Sequence, residues 1–255
     1  GVTDRAGALV PAMARKWKQI NKFIEVLDHA LDDAGLAPRE GQPVRVVDFG
    51  AGKGYLTFAT HHHLTHGRGW PAQTLGVELR AELVAQVNEA AAKCGVDGLR
   101  FQCGDVRDVM PGHVDVMIAL HACDTATDHA LHAGVRAGAA VILSSPCCHK
   151  QIRPQINLPP LLRPMLKHGI HLGQEAEMLT DSLRALLLET QGYDTQVFEF
   201  VSLEHTSKNK MILAVKRQQP LPAARVQALH EQIAGIKVFY GIQEHCLEQL
   251  LAVDA

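Results

Sequence analysis

The sequence has no run of 18 apolar residues, which excludes a transmembrane helix. Residues 1–30 are amphipathic and charged, so no secretory signal peptide is expected. Neither charge sign dominates. The formal net charge is −2 with His neutral, so the chain is no polycation, and any contact with nucleic acid must come from a local basic patch. Cysteine is sparse and irregularly spaced: Cys94, Cys103, Cys123, Cys147, Cys148 and Cys246 form neither a secreted disulfide framework nor paired CxxC zinc knuckles. They read as reduced thiols of a cytoplasmic protein that makes no use of a membrane. Repeats and low-complexity segments are missing. An initiator Met is missing too, and the abrupt opening Gly1-Val2 reads as a fragment with something before it.

What is present is an ordinary globular composition, 47% hydrophobic and 20% charged over 255 residues. That is enough chain for a large core without metals or disulfides. Residues 12–34 carry helical periodicity through Met13, Trp17, Ile20, Ile24 and Leu27. From residue 44 apolar runs alternate with helices. Strands are expected at 44–49, 74–79, 99–103, 114–120 and 139–144. The intervening helices run from the glycine turn to about His66, over 81–93 and over 125–136. A helix over 176–191 precedes two closing strands, 196–201 and 211–215, antiparallel to each other. Two tail helices, 221–235 and 238–252, are split by Gly235 or Gly241. Strand–helix alternation implies a mostly parallel seven-stranded sheet with helices on both faces, an α/β Rossmann-like fold. Residues 1–40 then form an N-terminal helical segment, 41–217 the central domain, and 218–255 a helical appendage.

The strongest motif is Val47-Asp48-Phe49-Gly50-Ala51-Gly52-Lys53-Gly54-Tyr55. Glycines serve where a strand turns sharply into a helix and a ligand nears the backbone. Asp48 ends the first strand, Glu78 the second and Asp105 the third. An acid at the second strand end grips a ribose, and the Gly104-Asp105 pair suits an adenine. A dinucleotide site would want a Gly-x-Gly-x-x-Gly phosphate turn. Here Asp48 just upstream would repel a pyrophosphate and suits the cationic amino group of S-adenosylmethionine. The candidate cofactor contacts are Asp48, Gly50, Ala51, Gly52, Gly54, Tyr55, Glu78, Leu79, Asp105, Val106 and Leu120.

These residues resemble class I (Rossmann-like) S-adenosylmethionine-dependent methyltransferases. A narrower resemblance rests on Lys53, on His121-Ala122-Cys123-Asp124-Thr125-Ala126-Thr127-Asp128 after strand four, and on Ser145-Pro146-Cys147-Cys148-His149 after strand five. Similar motif pairs occur in a eukaryotic tRNA ribose 2′-O-methyltransferase family and in methyltransferase-like proteins of unassigned substrate. The resemblance covers residues 12–217 and implies an enzyme that methylates RNA, either tRNA or rRNA. The alternatives are a methyltransferase acting on a small molecule or protein, and a non-catalytic cofactor-binding module.

In an open α/β sheet the ligand lies beyond the carboxyl ends of the strands. His121 and His149 are therefore the candidate bases for deprotonating an acceptor, with a core or capping role for His121 equally open. Asp124 is expected to cap the following helix. Cys147 and Cys148 are expected near the substrate. Packing of small, soft side chains against the cofactor is preferred over a covalent cysteine mechanism. It is also preferred over zinc held by Cys123, Cys147, Cys148 and His149, because adjacent cysteines seldom share one ion comfortably. No metal is expected. The amino-methyltransferase signature Asn/Asp-Pro-Pro-aromatic is absent after strand four. His61-His62-His63 cannot converge on one ion from consecutive helical positions and reads as a solvated face. Arg15, Lys16, Lys18 and Lys22 around Trp17 read either as a phosphate-binding patch with a stacking Trp or as a solvated basic face with Trp17 in the core. Glu204, His205 and Asn209, in the stretch before the last strand, are candidate substrate contacts by resemblance.

Overall fold

The computed structural model describes residues 2–4, 6–109, 111–120, 122–200 and 210–253. Seven strands form one sheet: β1 Val44–Phe49, β2 Ala72–Glu78, β3 Leu99–Cys103, β4 Val116–Ala119, β5 Val141–Ser144, β6 Tyr193–Glu199 and β7 Lys210–Lys216. Their order across the sheet is β3-β2-β1-β4-β5-β7-β6. All neighbours are parallel except β7, which runs antiparallel to both β5 and β6. Strand order therefore reverses between β1 and β4, and the crevice at that switch point is where such a sheet binds ligands.

The helices are α1 Ala14–Asp33, α2 Tyr55–His62, α3 Ala81–Lys93, α4 Thr125–Arg136, α5 Arg163–Leu166, α6 Gly169–Thr190, α7 Ala223–Tyr240 and α8 Cys246–Val253. Both faces of the sheet are covered, so the central strands are mostly apolar and their period of two shows only in where each side chain goes. Val116 and Ile118 of β4, Val141 and Leu143 of β5, and Met211 and Leu213 of β7 pack toward Phe23, Leu27 and Leu31 of α1 and Leu56 of α2. Met117, Ile142, Ile212 and Ala214 point the other way, into Leu131 of α4, Leu183 and Leu187 of α6, Ile233 of α7 and Leu247 of α8. The helices before β1 and after β7 thus close the cores on the two faces of the sheet.

Several boundaries differ from expectation. β2 begins at Ala72, β4 shrinks to Val116–Ala119, and β5 keeps only the last four of its expected residues, Val141–Ser144. β6 starts three residues early, at Tyr193, whose buried hydroxyl donates to Ala139 O at 2.8 Å. α6 starts at Gly169, and the short α5 precedes it. The tail breaks at Gly241, in left-handed conformation at φ +71°, while Gly235 lies inside α7. The histidine run is not a solvated face. His61 is buried against Thr74 Oγ1 at 3.0 Å, His63 Nε2 meets Asp28 Oδ1 at 2.6 Å, and only His62 faces out, stacked on His66. A π-type turn, His63–Gly67, continues α2 and brings these rings to three directions. Among the described residues no helix is long and apolar enough to cross a membrane.

Candidate active site

The glycine turn is forced by backbone geometry. Gly50, Gly52 and Gly54 all adopt positive φ, at 75°, 58° and 71°, where a side chain would be strained. The turn is also stitched to the end of β2. Gly50 N and Ala51 N both donate to Val77 O, Gly54 N donates to Ala51 O, and Gly52 N donates to Glu78 Oε2 at 2.9 Å. With these N–H groups used internally, little of the turn is left to hold a pyrophosphate, which removes the main attraction of the dinucleotide reading.

Beyond the turn lies a cleft of about 510 Å³ lined by Gly50, Gly52, Glu78, Leu79, Asp105 and Val106 among the expected residues. The rest of its wall is Phe49, Gly104, Ala122, Cys123, Thr125 and Ala126, from motifs noted in the sequence but not named as cofactor contacts, and Val77, Arg80 and Arg107, which sequence reading missed. The two arginines matter electrically. Arg80 Nε donates to Glu78 Oε1 at 2.8 Å and is the main cause holding that carboxyl below its ordinary range. Arg107 binds both oxygens of Asp105, at 2.6 and 2.9 Å, and with its own backbone N–H holds the carboxyl at about 2. Both acids are ionised throughout the physiological range. Leu79, 66% exposed, offers an apolar surface between them, and a local i, i+2 spacing after each strand end was the available signal for the arginines.

Asp48 behaves differently. It is buried and does not line the cleft; Thr57 Oγ1, from the first turns of α2, donates to its Oδ2 at 2.6 Å. Burial, with the Glu78 charge adding to it, pushes its carboxyl up to about 7. It lies beneath the glycine turn. Ala51, Gly54, Tyr55 and Leu120 do not line the cleft either, and Gly54 is pressed against Phe101 and Phe58.

The loops after β4 and β5 are bound to each other. Asp124 has φ +55°, the one positive φ of a non-glycine among the described residues. Asp124 was expected to cap α4, but its side chain makes no capping bond. Its Oδ1 instead accepts from Lys150 N and Gln151 N, at 2.9 and 3.2 Å, across the gap between loops. Fully buried Arg184 of α6 fixes this arrangement. It donates to both oxygens of Asp128, at 2.8 and 2.9 Å, and to the Asp124 carbonyl at 3.0 Å. Its third partner, Asp181 at 3.5 Å, lies one turn back on α6, but the two bonds that tie it to the β4 loop and α4 span 56 and 60 residues, and nothing in the local sequence marks them. His149 is within the β5 loop but turns to Asp181 Oδ1 at 3.4 Å and does not line the cleft. His245 is buried nearby with neither ring nitrogen partnered, and burial pushes it down to about 4.

The same two loops bring three thiols together. Cys123 Sγ lies 3.0 Å from Cys147 Sγ, which lies 3.5 Å from Cys148 Sγ. Burial, and then the neighbouring thiols, push Cys147 up to about 12, far from a free nucleophilic thiolate. Of the three only Cys123 reaches the cleft. His121, Glu204, His205 and Asn209 lie outside the described residues.

On the N-terminal patch, Trp17 is 43% exposed and therefore not core. Lys16 Nζ lies 5.8 Å from the centroid of the Tyr55 ring, at the start of α2, so the basic first turns of α1 stand at the cleft end of the sheet. Arg15 and Lys18 are exposed, while Lys22 pairs with Glu25 at 2.7 Å.

A family described as a methyltransferase domain matches residues 15–155, more than half of the sequence. The chain belongs to that family. It carries an S-adenosylmethionine-dependent methyltransferase domain, and the switch point of such a sheet is where ligands bind. The methyltransferase is 23% identical over 225 residues to a glutathione S-transferase C-terminal domain-containing protein of Bos taurus, covering 79% of this chain and 33% of that one. The Xenopus laevis protein of the same description is 24% identical over 223 residues, covering 78% and 34%. The chain thus spans about a third of the length of these curated relatives. Among solved structures it shares its fold with magnesium protoporphyrin IX methyltransferase from Synechocystis PCC 6803, at TM-score 0.50 and 13% identity, covering 83% of this chain and 89% of that one. The 23S rRNA methyltransferase ErmE matches at TM-score 0.50 and 14% identity, covering 89% and 82%. One fold here accompanies a porphyrin enzyme and an rRNA enzyme, so it carries no information about the acceptor.

Proposed function

We propose that the methyltransferase transfers the methyl group of S-adenosylmethionine to RNA, with residues 41–217 as the donor-binding domain. Glu78 takes the ribose hydroxyls, Asp105 the adenine amino group, and Leu79 and Val106 the ring faces. Asp48, beneath the turn, faces the donor's amino group through the glycine loop. The observation that carries the acceptor class is the placement of Trp17, Arg15 and Lys18. They are an exposed aromatic and two exposed cations on the helix that begins beside Tyr55, at the cleft end of the sheet. Phosphates would meet the cations and an unstacked base the indole.

Methyl transfer from a sulfonium is mainly a matter of in-line positioning. The cross-linked loops after β4 and β5 supply it by fixing Ala122 and Cys123 in the cleft wall. His121, which in sequence directly follows the buried Leu120, is the proposed base, and His149, held by Asp181, a positioning residue for the β5 loop. His121→Ala is expected to lower turnover more than donor binding. The deciding experiment is transfer of tritium from labelled S-adenosylmethionine into fractionated cellular RNA, protein and metabolites. Label in the RNA fraction is expected. Label confined to metabolites or protein gives the acceptor to those classes instead.

A further inference from the structure

We propose that Cys123, Cys147 and Cys148 form a three-thiolate site for a soft d10 cation, Zn2+ first among them, set in the wall of the donor cleft with one coordination position left open.

The three sulfurs come from two loops 24 residues apart in sequence and lie within 4.8 Å of one another. Zinc–sulfur bonds of about 2.3 Å in tetrahedral geometry put ligand sulfurs about 3.8 Å apart. The separations here, 3.0, 3.5 and at most 4.8 Å, bracket that value. The adjacency of Cys147 and Cys148, which on sequence grounds argues against a shared ion, is no obstacle, because their sulfurs point to the same side at 3.5 Å. The convergence is built into the fold. Asp124 bonds the β4 loop to Lys150 N and Gln151 N of the β5 loop, Arg184 holds the Asp124 carbonyl, and Ser145 Oγ donates to Lys210 O at 2.8 Å. The other three cysteines take no part in the group: Cys94 and Cys103 are exposed, and Cys246 opens α8.

Thiolate ligands select Zn2+, Cd2+ and Cu+ over hard cations. Three protein ligands are the pattern of a site that keeps a position for a water or a substrate atom, whereas structural zinc sites are closed by four. His149 is not a ligand, since it turns to Asp181. A disulfide between Cys123 and Cys147 is the competing use of the same sulfurs, and it would leave Cys148 without a role. The proposal stands whether or not the acceptor is RNA.

The test titrates the reduced, metal-free protein with Cd2+ and Co2+, reading the ultraviolet thiolate charge-transfer band and the visible Co2+ spectrum. Zn2+ back-titration and elemental analysis give the stoichiometry. One equivalent with a thiolate band is expected, displaced by Zn2+. Cys123→Ser, Cys147→Ser and Cys148→Ser should each weaken Cd2+ binding by about a hundredfold or more, beyond the loss typical of outer-sphere changes. Cys103→Ser should leave it unchanged. Circular dichroism and thermal melting show that each variant is folded. Absence of the band in folded wild-type protein overturns the site without recourse to any variant. So does a band that survives all three substitutions. A Cys123–Cys147 disulfide found by peptide mass mapping, with no uptake after reduction, overturns it in favour of a redox pair.

Discussion

The three strand-end acids look alike in sequence and are physically unlike in the fold. Glu78 and Asp105 line the cleft and carry an arginine each, whereas Asp48 is buried away from the cleft with one hydroxyl for company. A carboxyl whose folded value rises from 3.8 to about 7 binds a proton more readily in the folded than in the unfolded chain. Its contribution to stability is therefore present at low pH and is lost as pH rises from about 4 to about 7, by at most about 4 kcal/mol. Asp48→Asn is expected to melt higher than wild type at pH 8 without donor, to lose that pH slope, and to bind S-adenosylmethionine more weakly. In wild type the cationic donor favours the ionised form, so its affinity rises with pH through about 7. Calorimetry at pH 6 and 8 beside thermal melts checks both signs, and a donor affinity unchanged by the substitution removes Asp48 from donor recognition. Glu78→Ala is expected to cost roughly 1.5–3 kcal/mol of donor binding, the value of hydrogen bonds to a charged group. Unaltered binding by calorimetry would reassign the ribose contact. The position of each acid was legible from strand ends and glycine spacing. Arg80 and Arg107 were not, because a surface arginine two residues on is common, and only a shared cleft gives it meaning.

At the level of elements, helices bounded by clear changes of pattern were read to the residue: α3 over Ala81–Lys93 and α4 over Thr125–Arg136. Strand ends were not, because apolar runs buried on both faces continue past the last ladder bond, as at Val114 and Leu120 around β4. The opposite failure occurs at β6. Its exposed edge begins with Tyr193-Asp194-Thr195, where polar residues hide a strand that pairs fully with β7. Least legible was the tie between α4, α6 and the loops after β4 and β5, since it runs from Arg184 to Asp128 and Asp124, polar residues 56 and 60 positions away. Removing one member of a buried pair leaves the other charge uncompensated. Arg184→Met is expected to cost roughly 3–5 kcal/mol, seen as a lower denaturant midpoint at unchanged m-value. The double variant Arg184→Met/Asp128→Leu should recover part of the loss. A loss confined to catalytic rate, with stability intact, would show that the pair orders only the loops. The same substitution releases the Asp124 carbonyl, so under the metal proposal it should also weaken Cd2+ binding while leaving every thiol in place.

For the whole molecule, the question is how a chain with net charge −2 could hold a polyanion. Global attraction is unavailable, so affinity must come from a few cations with exposed heads at one end of the sheet. The ion pairs decide which ones. Lys22 is committed to Glu25, Arg80 to Glu78 and Arg107 to Asp105, while Lys16 is half-buried over Tyr55 and its burial favours the neutral amine. Arg15 and Lys18 are the exposed cations of this patch, flanking an exposed indole. Removing one cation from a phosphate should reduce the slope of log affinity against log salt by about 0.7 for single strands and 0.9 for duplex. Arg15→Ala/Lys18→Ala is therefore expected to flatten the slope for tRNA or rRNA by about 1.4 to 1.8 and to leave calorimetric S-adenosylmethionine binding unchanged. Trp17→Ala should cost roughly 1–3 kcal/mol with the salt slope unchanged, because stacking releases no counterions. Gel-shift titrations at three or more salt concentrations separate the two effects. Parallel slopes for wild type and Arg15→Ala/Lys18→Ala would clear the patch of any role at phosphates. No detectable binding of wild type at low salt, with the demethylated cofactor present, would turn the acceptor reading toward small molecules. Because the chain spans about a third of its curated relatives, the same titration on the longest available form of the protein shows whether affinity for RNA resides in this domain or is supplied beside it.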